Sequence, residues 1–253
     1  MVVSNTFFVG HRYTDKTYYI KNSSILTMFE DIAGMHSNAA GEDYHTSPSR
    51  WLLTSYKLKI HEKPKYGDEI NISTWSVDIR NITATREFEV RNSVGKLIIC
   101  GLSNWAHYNI EDKKFDRVPE TLIDAYESEP QKTNFADDKI KKLAEPTDYI
   151  YEKECEIYPH WIDVNNHLNN AHYLDLASEF LSGRVNTEEN VEEIEIMYKH
   201  EILPGDKIKC MLSETEETYT VVCKNAVSSQ LHAIIIFHKK AKKTVHKLVK
   251  NKT

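Results

Sequence analysis

One order of elements, a long amphipathic helix followed by a run of antiparallel strands, is written twice in this chain, and any fold for it must house both copies. In residues 23–41, Ile25, Met28, Phe29, Ile32 and Met35 recur at helical spacing, with Asn22, Ser23 and Ser24 as N-cap residues ahead of them and Gly41 as a stop. From Trp51 to Asn109 the pattern changes to strands: WLLTSYKLKI, EINISTWSVDI, ITATREFEV and KLIICGLSNWAHYNI, parted by the turn signals KYGD, RN and NSVG. The order returns after residue 148. A strand at 149–157 precedes a helix from about Asn169 to Leu181, which carries Tyr173, Leu176, Ala177 and Phe180 on one face and has Gly183 as its stop. Strands follow at about 192–202, 207–214, 217–224 and 230–238. PKYGDEI at 64–70 aligns with ILPGDKI at 202–208 at an offset of 138, and the helices align at a slightly larger one. This reads as an internal duplication.

A helix with one apolar stripe must bury it against the apolar face of a sheet, so the expected class is α+β with two sheets, each wrapped round a helix. Edge strands of the two copies could pair into one continuous sheet, which would also remove exposed edges. Residues 117–147, with Pro119, Pro130 and Pro146, read as a connector, which divides the chain into 1–116, 117–147, 148–240 and a basic tail at 241–253.

Composition narrows the function. No apolar run approaches the roughly 20 residues of a membrane span, the longest being LHAIIIF at 231–237. The first residues show no basic-then-apolar leader, so the expected location is the cytoplasm. Cys100, Cys155, Cys210 and Cys223 form no Cys-x-x-Cys pair and are expected as buried free thiols. Residues 239–253 hold seven lysines and no acid, so the net charge of −6 is the sum of +7 there and −13 over residues 1–238. With no arginine-and-aromatic motif to support it, nucleic-acid binding by this acidic body is not expected.

The densest polar cluster is WIDVNNHLNNAHYLDLASE at 161–179, where a strand gives way to the second helix. Asp163, Asn165 and His167 alternate, so in an extended stretch they would project to one side, with Val164 and Asn166 on the other. Asn169 and Asn170 fall at the helix start, where asparagine caps and where N–H groups of the first turn can meet developing negative charge. His160, Asp163, His167 and His172 lie close in sequence, but their spacing lacks the paired i, i+4 helix geometry of a zinc hydrolase, and no metal is expected. Glycine-rich phosphate loops and a G-x-S-x-G elbow are absent, which disfavours nucleotide chemistry and serine hydrolysis.

DVNNHLNNAHYLDLASE resembles the active-site segment of the acyl-ACP thioesterases of plants and bacteria, where Asp-x-Asn-x-His-x-Asn-Asn-x-x-Tyr opens the C-terminal hotdog helix. All six fixed positions are present, and residues 51–75 and 93–119 are similar to the family's N-terminal domain. The resemblance implies a double hotdog packed as one body. It implies a hydrolase that releases free fatty acid from acyl carrier protein (ACP), with water as co-substrate and without a cofactor. Asp163, Asn165 and His167 match the three motif positions, and Glu201 matches the family's catalytic acid on the following strand. Plant members usually carry cysteine directly after that glutamate; Ile202 stands there in this chain, so no cysteine nucleophile is available.

On this reading Glu201 activates water or attacks the thioester directly, Asn165 positions the water, His167 polarises or moves a proton, Asp163 orients the others, and helix-start N–H groups hold the oxyanion. Strand alternation places Glu201 on the face opposite Ile194, Ile196 and Tyr198, so a bulge must re-aim it or another face must carry the site. The first copy has Lys63 at the position of Glu201 and no Asp-x-Asn-x-His, and is expected to be silent and to form the acyl pocket. Lys57, Lys59, Lys63 and Lys65 or the lysine tail are candidates for meeting the acidic carrier. A coenzyme A thioesterase and a non-catalytic acyl-binding hotdog are the alternatives, and a homodimer is left open.

Overall fold

In the computed structural model, which describes residues 1–136, 138–181 and 191–240, the first apolar stripe winds into α1 (Asn22–Ala39) and buries Ile25, Met28, Phe29 and Ile32. Met35 departs from the expected stripe and is exposed; His36, four residues on from Ile32, takes the inward position. Lys21 is the N-cap and offers no side-chain bond, while Asn22, Ser23 and Ser24 are buried in the first turn. The reason is tertiary: Ser23 Oγ donates to Asp175 at 2.5 Å on the second long helix, so these side chains serve a helix–helix contact rather than the helix end. The chain leaves α1 through Gly41, whose φ of +84° few other residues adopt.

The strands are β1 (Val2–Phe8), β2 (Ser49–Ile60), β3 (Glu69–Arg80), β4 (Thr83–Asn92), β5 (Leu97–Asn109) and the short β6 (Lys114–Phe115). A small helix α2 (Glu120–Tyr126) follows, then β7 (Tyr151–Cys155), α3 (His172–Leu181), β8 (Val191–Tyr198), β9 (Ile208–Glu214), β10 (Thr218–Asn225) and β11 (Leu231–Lys239). Gly183 and the tail at 241–253 lie outside the described residues.

All strands join one antiparallel sheet, ordered β1-β3-β4-β5-β2-β8-β11-β10-β9-β7, with β6 attached to β5. Each half therefore has the same internal order, and the halves meet edge to edge where β2 pairs with β8 from Ser55↔Met197 to Lys59↔Glu193. The duplication is thus built as a pseudo-symmetric α+β double hotdog, with its two inner edges consumed in the junction. One continuous core runs under both helices and includes Phe29, Tyr56, Leu176, Phe180, Ile194 and Ile235. Phe29 stacks on Phe88 at 4.2 Å between ring centres, and it fits because β5 carries Gly101, where a Cβ would lie 2.5 Å from the Phe29 ring.

The connector crosses the opposite face of the sheet as a strap. Trp75 Nε1 of β3 donates to Lys132 O at 2.7 Å, Glu87 of β4 accepts from the Asn134 N–H at 2.7 Å, and Phe135 packs on Cys100 and Leu102 of β5. Asp138 meets Lys57 and Lys59 of β2, and Leu143 packs on Met197, Val222 and Ile234 of the second half. Lys57 and Lys59, two residues apart, share one face of β2, and the strap covers them through Asp138. All four cysteines are buried free thiols. No helix among the described residues is long and apolar enough to cross a membrane.

Candidate active site

The motif segment is a closed turn rather than an extended row, which corrects the expectation that Asp163, Asn165 and His167 project side by side. Asp163 Oδ1 accepts the N–H groups of Asn165 at 2.8 Å and His167 at 3.1 Å, and the Asp163 N–H donates to His167 O at 2.8 Å. Asn166 takes the left-handed conformation, φ 63°, which asparagine tolerates and most side chains do not. Ile162 and Leu168 bridge beneath the turn, and Val164 at its tip is 86% exposed.

Three long-range contacts seat this turn. The Leu168 N–H donates to Ile202 O at 2.9 Å, the Tyr44 hydroxyl donates to Asn165 Oδ1, and Asn169 Nδ2 donates to Glu30 Oε2 at 2.8 Å. Tyr44 is itself held under the Arg50 guanidinium, 4.1 Å above its ring, and Arg50 is fixed by the carbonyls of Ser47 and Ser49. Asn169 has a second duty: its Oδ1 accepts the Ala171 N–H at 2.9 Å and its carbonyl accepts the His172 N–H at 3.0 Å. Those two helix-start N–H groups, expected above as oxyanion donors, are therefore already engaged.

A cavity of about 570 Å³ opens between α1, the 42–51 segment and the motif turn. Asp163, Asn165, Asn169 and Asn170 form one wall, and Glu30, Gly34 and Asn38 of α1 form another. Trp51, Ile79 and Trp105 of the first copy and Tyr126 of the connector also line it, large apolar surfaces suited to a chain-like ligand. Buried Arg86 lines the cavity as well; its Nη1 donates to His36 Nδ1 at 2.8 Å, and burial, then the Arg86 charge, push the imidazole down to about 3, so His36 is neutral.

Of the four residues matched by sequence, Asp163 and Asn165 line the cavity and His167 and Glu201 do not. Glu201 is exposed and lies three residues past the end of β8, in a loop, so the strand alternation that made its direction awkward does not reach it. Its neighbour Ile202 is the residue that Leu168 grips, which puts Glu201 behind the turn. Glu30 is the residue that sequence reading passed over. Burial is the largest influence on its carboxyl and pushes it up to about 7; the Asn169 hydrogen bond and His172 oppose, and the Asp163 and Asp31 charges add to the rise.

The histidines near the motif do not converge as metal ligands: His160 stacks with Tyr158, and His172 Nδ1 binds Asp175 at 2.7 Å. Among the described residues the one grouping of metal-type side chains is Glu193, Glu195 and His238 on the strap face, and the Lys57 ammonium occupies it at 3.1 and 3.5 Å from the two glutamates. Of the lysine candidates for carrier binding, Lys57 and Lys63 are buried and Lys59 pairs with Asp138 at 2.6 Å, whereas Lys65 is exposed over the Tyr19 ring and the tail from residue 241 lies outside the described residues.

Known proteins resemble this chain in sequence and in fold. The family described as Acyl-ACP thioesterase N-terminal domain matches residues 2–126, and Acyl-ACP thioesterase C-terminal domain matches residues 145–242. The oleoyl-acyl carrier protein thioesterase of Coriandrum sativum is 22% identical over 224 residues, covering 79% of this chain and 59% of that protein. The palmitoyl-acyl carrier protein thioesterase of Gossypium hirsutum is 25% identical over 196 residues, covering 68% of this chain and 47% of its own length. The chain thus spans about half the length of the curated relatives it matches. Among solved structures, an acyl-ACP thioesterase from Bacteroides thetaiotaomicron superimposes with a TM-score of 0.82 at 17% identity, covering 94% of this chain and 98% of the other. The 12:0-ACP thioesterase from Umbellularia californica gives 0.80 at 14% identity, covering 95% and 98%. With both halves matched in order and the same fold recovered across the whole body, this chain belongs to the acyl-ACP thioesterase family.

Proposed function

We propose that this chain hydrolyses the thioester of fatty acyl-ACP in the cytoplasm, releasing the free acid and so ending chain elongation. The observation that carries the reading is the position of the motif turn: Asp163 and Asn165 line the same cavity as first-copy aromatic and aliphatic side chains. A thioester held at the turn would place its acyl chain toward Trp51, Ile79 and Trp105. Asn165, its carbonyl oxygen held by Tyr44 and its amide reaching Asp163 Oδ2 at 3.3 Å, is fixed in orientation as a polar contact for the reacting group. Asp163 holds the turn and supplies its negative charge. His167 and Glu201 are assigned to the same site as positioning residues, the former through its backbone on Asp163 and the latter through the Ile202 contact that seats the turn. The first copy supplies the pocket rather than a second reaction centre.

Purified protein assayed on matched acyl-ACP and acyl-CoA substrates of one chain length tests the reading. A higher kcat/KM on acyl-ACP is expected. A clear preference for the CoA ester overturns the substrate assignment, and hydrolysis of neither leaves only an acyl-binding role.

A further inference from the structure

Thioester hydrolysis needs a base beside the carbonyl carbon. Of the carboxylates around the cavity and the turn, Glu42 is engaged by Trp51 and Tyr126, Asp43 by His45 and Thr46, and Asp31 is exposed, which leaves Asp163, Glu201 and Glu30. Asp163 is occupied: Oδ1 accepts two backbone N–H groups and Oδ2 faces the Asn165 amide. Glu201 is exposed and off the cavity wall. Glu30 differs from both. It lines the cavity, Asn169 fixes its Oε2, and its Oε1 is the one buried carboxylate oxygen without a hydrogen-bond partner among the described residues. A buried acceptor left open is costly, and such a group in a polar cleft marks a functional position.

We propose that Glu30, carried by the helix of the first copy, is the general base of the reaction performed at the motif turn of the second copy. The assignment rests on the thioesterase reading above and completes it. Glu30 Oε1 takes a proton from a water molecule as the water oxygen bonds to the thioester carbonyl carbon, and the carbonyl pair moves onto oxygen. Collapse of that tetrahedral species restores C=O and breaks the C–S bond with its electron pair on sulfur. The proton held on Glu30 passes to the thiolate, so acyl thioester and water become free acid and thiol, and the carboxylate is regenerated. Asn169 is a positioning residue, since its amide keeps Oε2 in place and leaves Oε1, buried beside the cavity, as the oxygen without a protein partner.

The surroundings tune this base to neutral pH. The groups facing it are Asp31 on its own helix, Asn169 and Asp163 from the turn, His172 at the start of α3, and the buried hydroxyls of Tyr56 on β2 and Tyr198 on β8. Burial with two neighbouring acids outweighs the amide bond and the imidazole, so the carboxyl titrates at about 7. A base of that kind is ionised in useful amount at working pH and still accepts a proton readily.

The test is Glu30→Gln, which keeps shape and the capacity to meet Asn169, with Glu30→Asp as the conservative companion. On acyl-ACP, Glu30→Gln should lower kcat by roughly 10²- to 10⁴-fold with KM little changed. The wild-type pH–rate profile should rise through about 7, and that limb should vanish from the residual activity of the variant. Glu30→Asp should restore part of the rate together with a limb. Folding is checked by the thermal transition, where Glu30→Gln should match or exceed wild type. A folded Glu30→Gln variant with kcat within about threefold of wild type, or with its pH limb intact, overturns the assignment of the base alone. A wild-type protein that hydrolyses neither acyl-ACP nor acyl-CoA overturns the thioesterase reading and this role with it.

Discussion

The loop that leads into α1 and the loop that leads into α3 are the same backbone device carrying different chemistry. Asp15 N–H donates to Tyr19 O at 2.9 Å as Asp163 N–H donates to His167 O at 2.8 Å, and Tyr18 adopts φ 66° where Asn166 adopts 63°. The Ile20 N–H binds Pro64 O as Leu168 binds Ile202, and Lys21 binds Tyr13 as Asn169 binds Trp161. Within the two loops the offset is 148, from 163 minus 15, while their partners Pro64 and Ile202 keep the offset of 138. Asp15 accepts the Thr17 N–H at 2.7 Å, so the leading aspartate of the motif is required by the turn in both copies and is not, by itself, a sign of reaction.

What distinguishes the second loop is what surrounds that shared frame. Asn165 replaces Thr17, His167 replaces Tyr19, and Asn169 replaces Lys21. On the same offset Glu30 corresponds to Ser178, so the pair Asn169–Glu30 has Lys21 and Ser178 as its counterpart. Duplication gave two equivalent frames, and only one cross-copy combination brings an amide to a buried acid.

The largest break in the comparison is expected from paired alanine variants. Asp163→Ala should reduce kcat/KM on acyl-ACP by about 10²-fold or more, because turn, charge and Asn165 contact are all lost at the wall of the cavity. Asp15→Ala should cost about 1 kcal/mol of stability, on the order of one lost hydrogen bond, and leave kcat within about twofold. Equal activity losses in the two variants would remove the distinction between the copies.

Next in size is the strap face. Lys57→Met removes the cation that Asp138, Glu193 and Glu195 share and should destabilise by about 3–5 kcal/mol in chemical denaturation, since it leaves carboxylates partly buried without their partner. KM for acyl-ACP measured on the folded fraction should not change; a selective rise in KM would return Lys57 to the carrier surface.

A smaller effect concerns how Asn169 sets its partner. Its hydrogen bond lowers the Glu30 pKa, so Asn169→Ala should move the acidic limb of the pH–rate profile above 7, while Asp163→Asn, which removes a raising charge, should move it below. Asn169→Ala also gives up the bond to the Ala171 N–H, worth about 0.5–2 kcal/mol at a helix start. Shifts of the same sign in both variants would contradict the assigned environment.

The subtlest expectation is in stability against pH. The folded Glu30 pKa of about 7 lies above the ordinary value of 4.5, so between those values the folded chain holds the proton more tightly than the unfolded one. Its contribution to stability is present below about 4.5 and lost as pH rises through 7. Glu30→Gln should therefore exceed wild type in stability at pH 8, and the gap should close toward pH 4.5.

Much of this was legible before any coordinates. Helical spacing from Ile25 to Ile32 and the Gly-Asp turns at 67–68 and 205–206 located the copies, and the Asp-x-Asn-x-His run located one wall of the cavity. Other features lacked a local signal. β1 is a seven-residue strand whose burial merely alternates at a sheet edge. Glu30 reads in sequence as one more polar position between Phe29 and Asp31, and its partner is 139 residues away. Asp163 and Asn166 are turn formers whose spacing could have revealed the closed loop, whereas the covering of Lys57 depended on the path of a proline-marked connector that no periodicity describes.

The central claim is that the reaction centre is assembled from both copies, with its base on the first. Single-turnover hydrolysis of one acyl-ACP by folded Glu30→Gln and Glu201→Gln, side by side, tests it most directly. The expected result is a loss of roughly 10²-fold or more for Glu30→Gln and a far smaller loss for Glu201→Gln. The reverse order, with Glu201→Gln crippled and Glu30→Gln near wild type, would place the base behind the turn in the second copy and contradict the account.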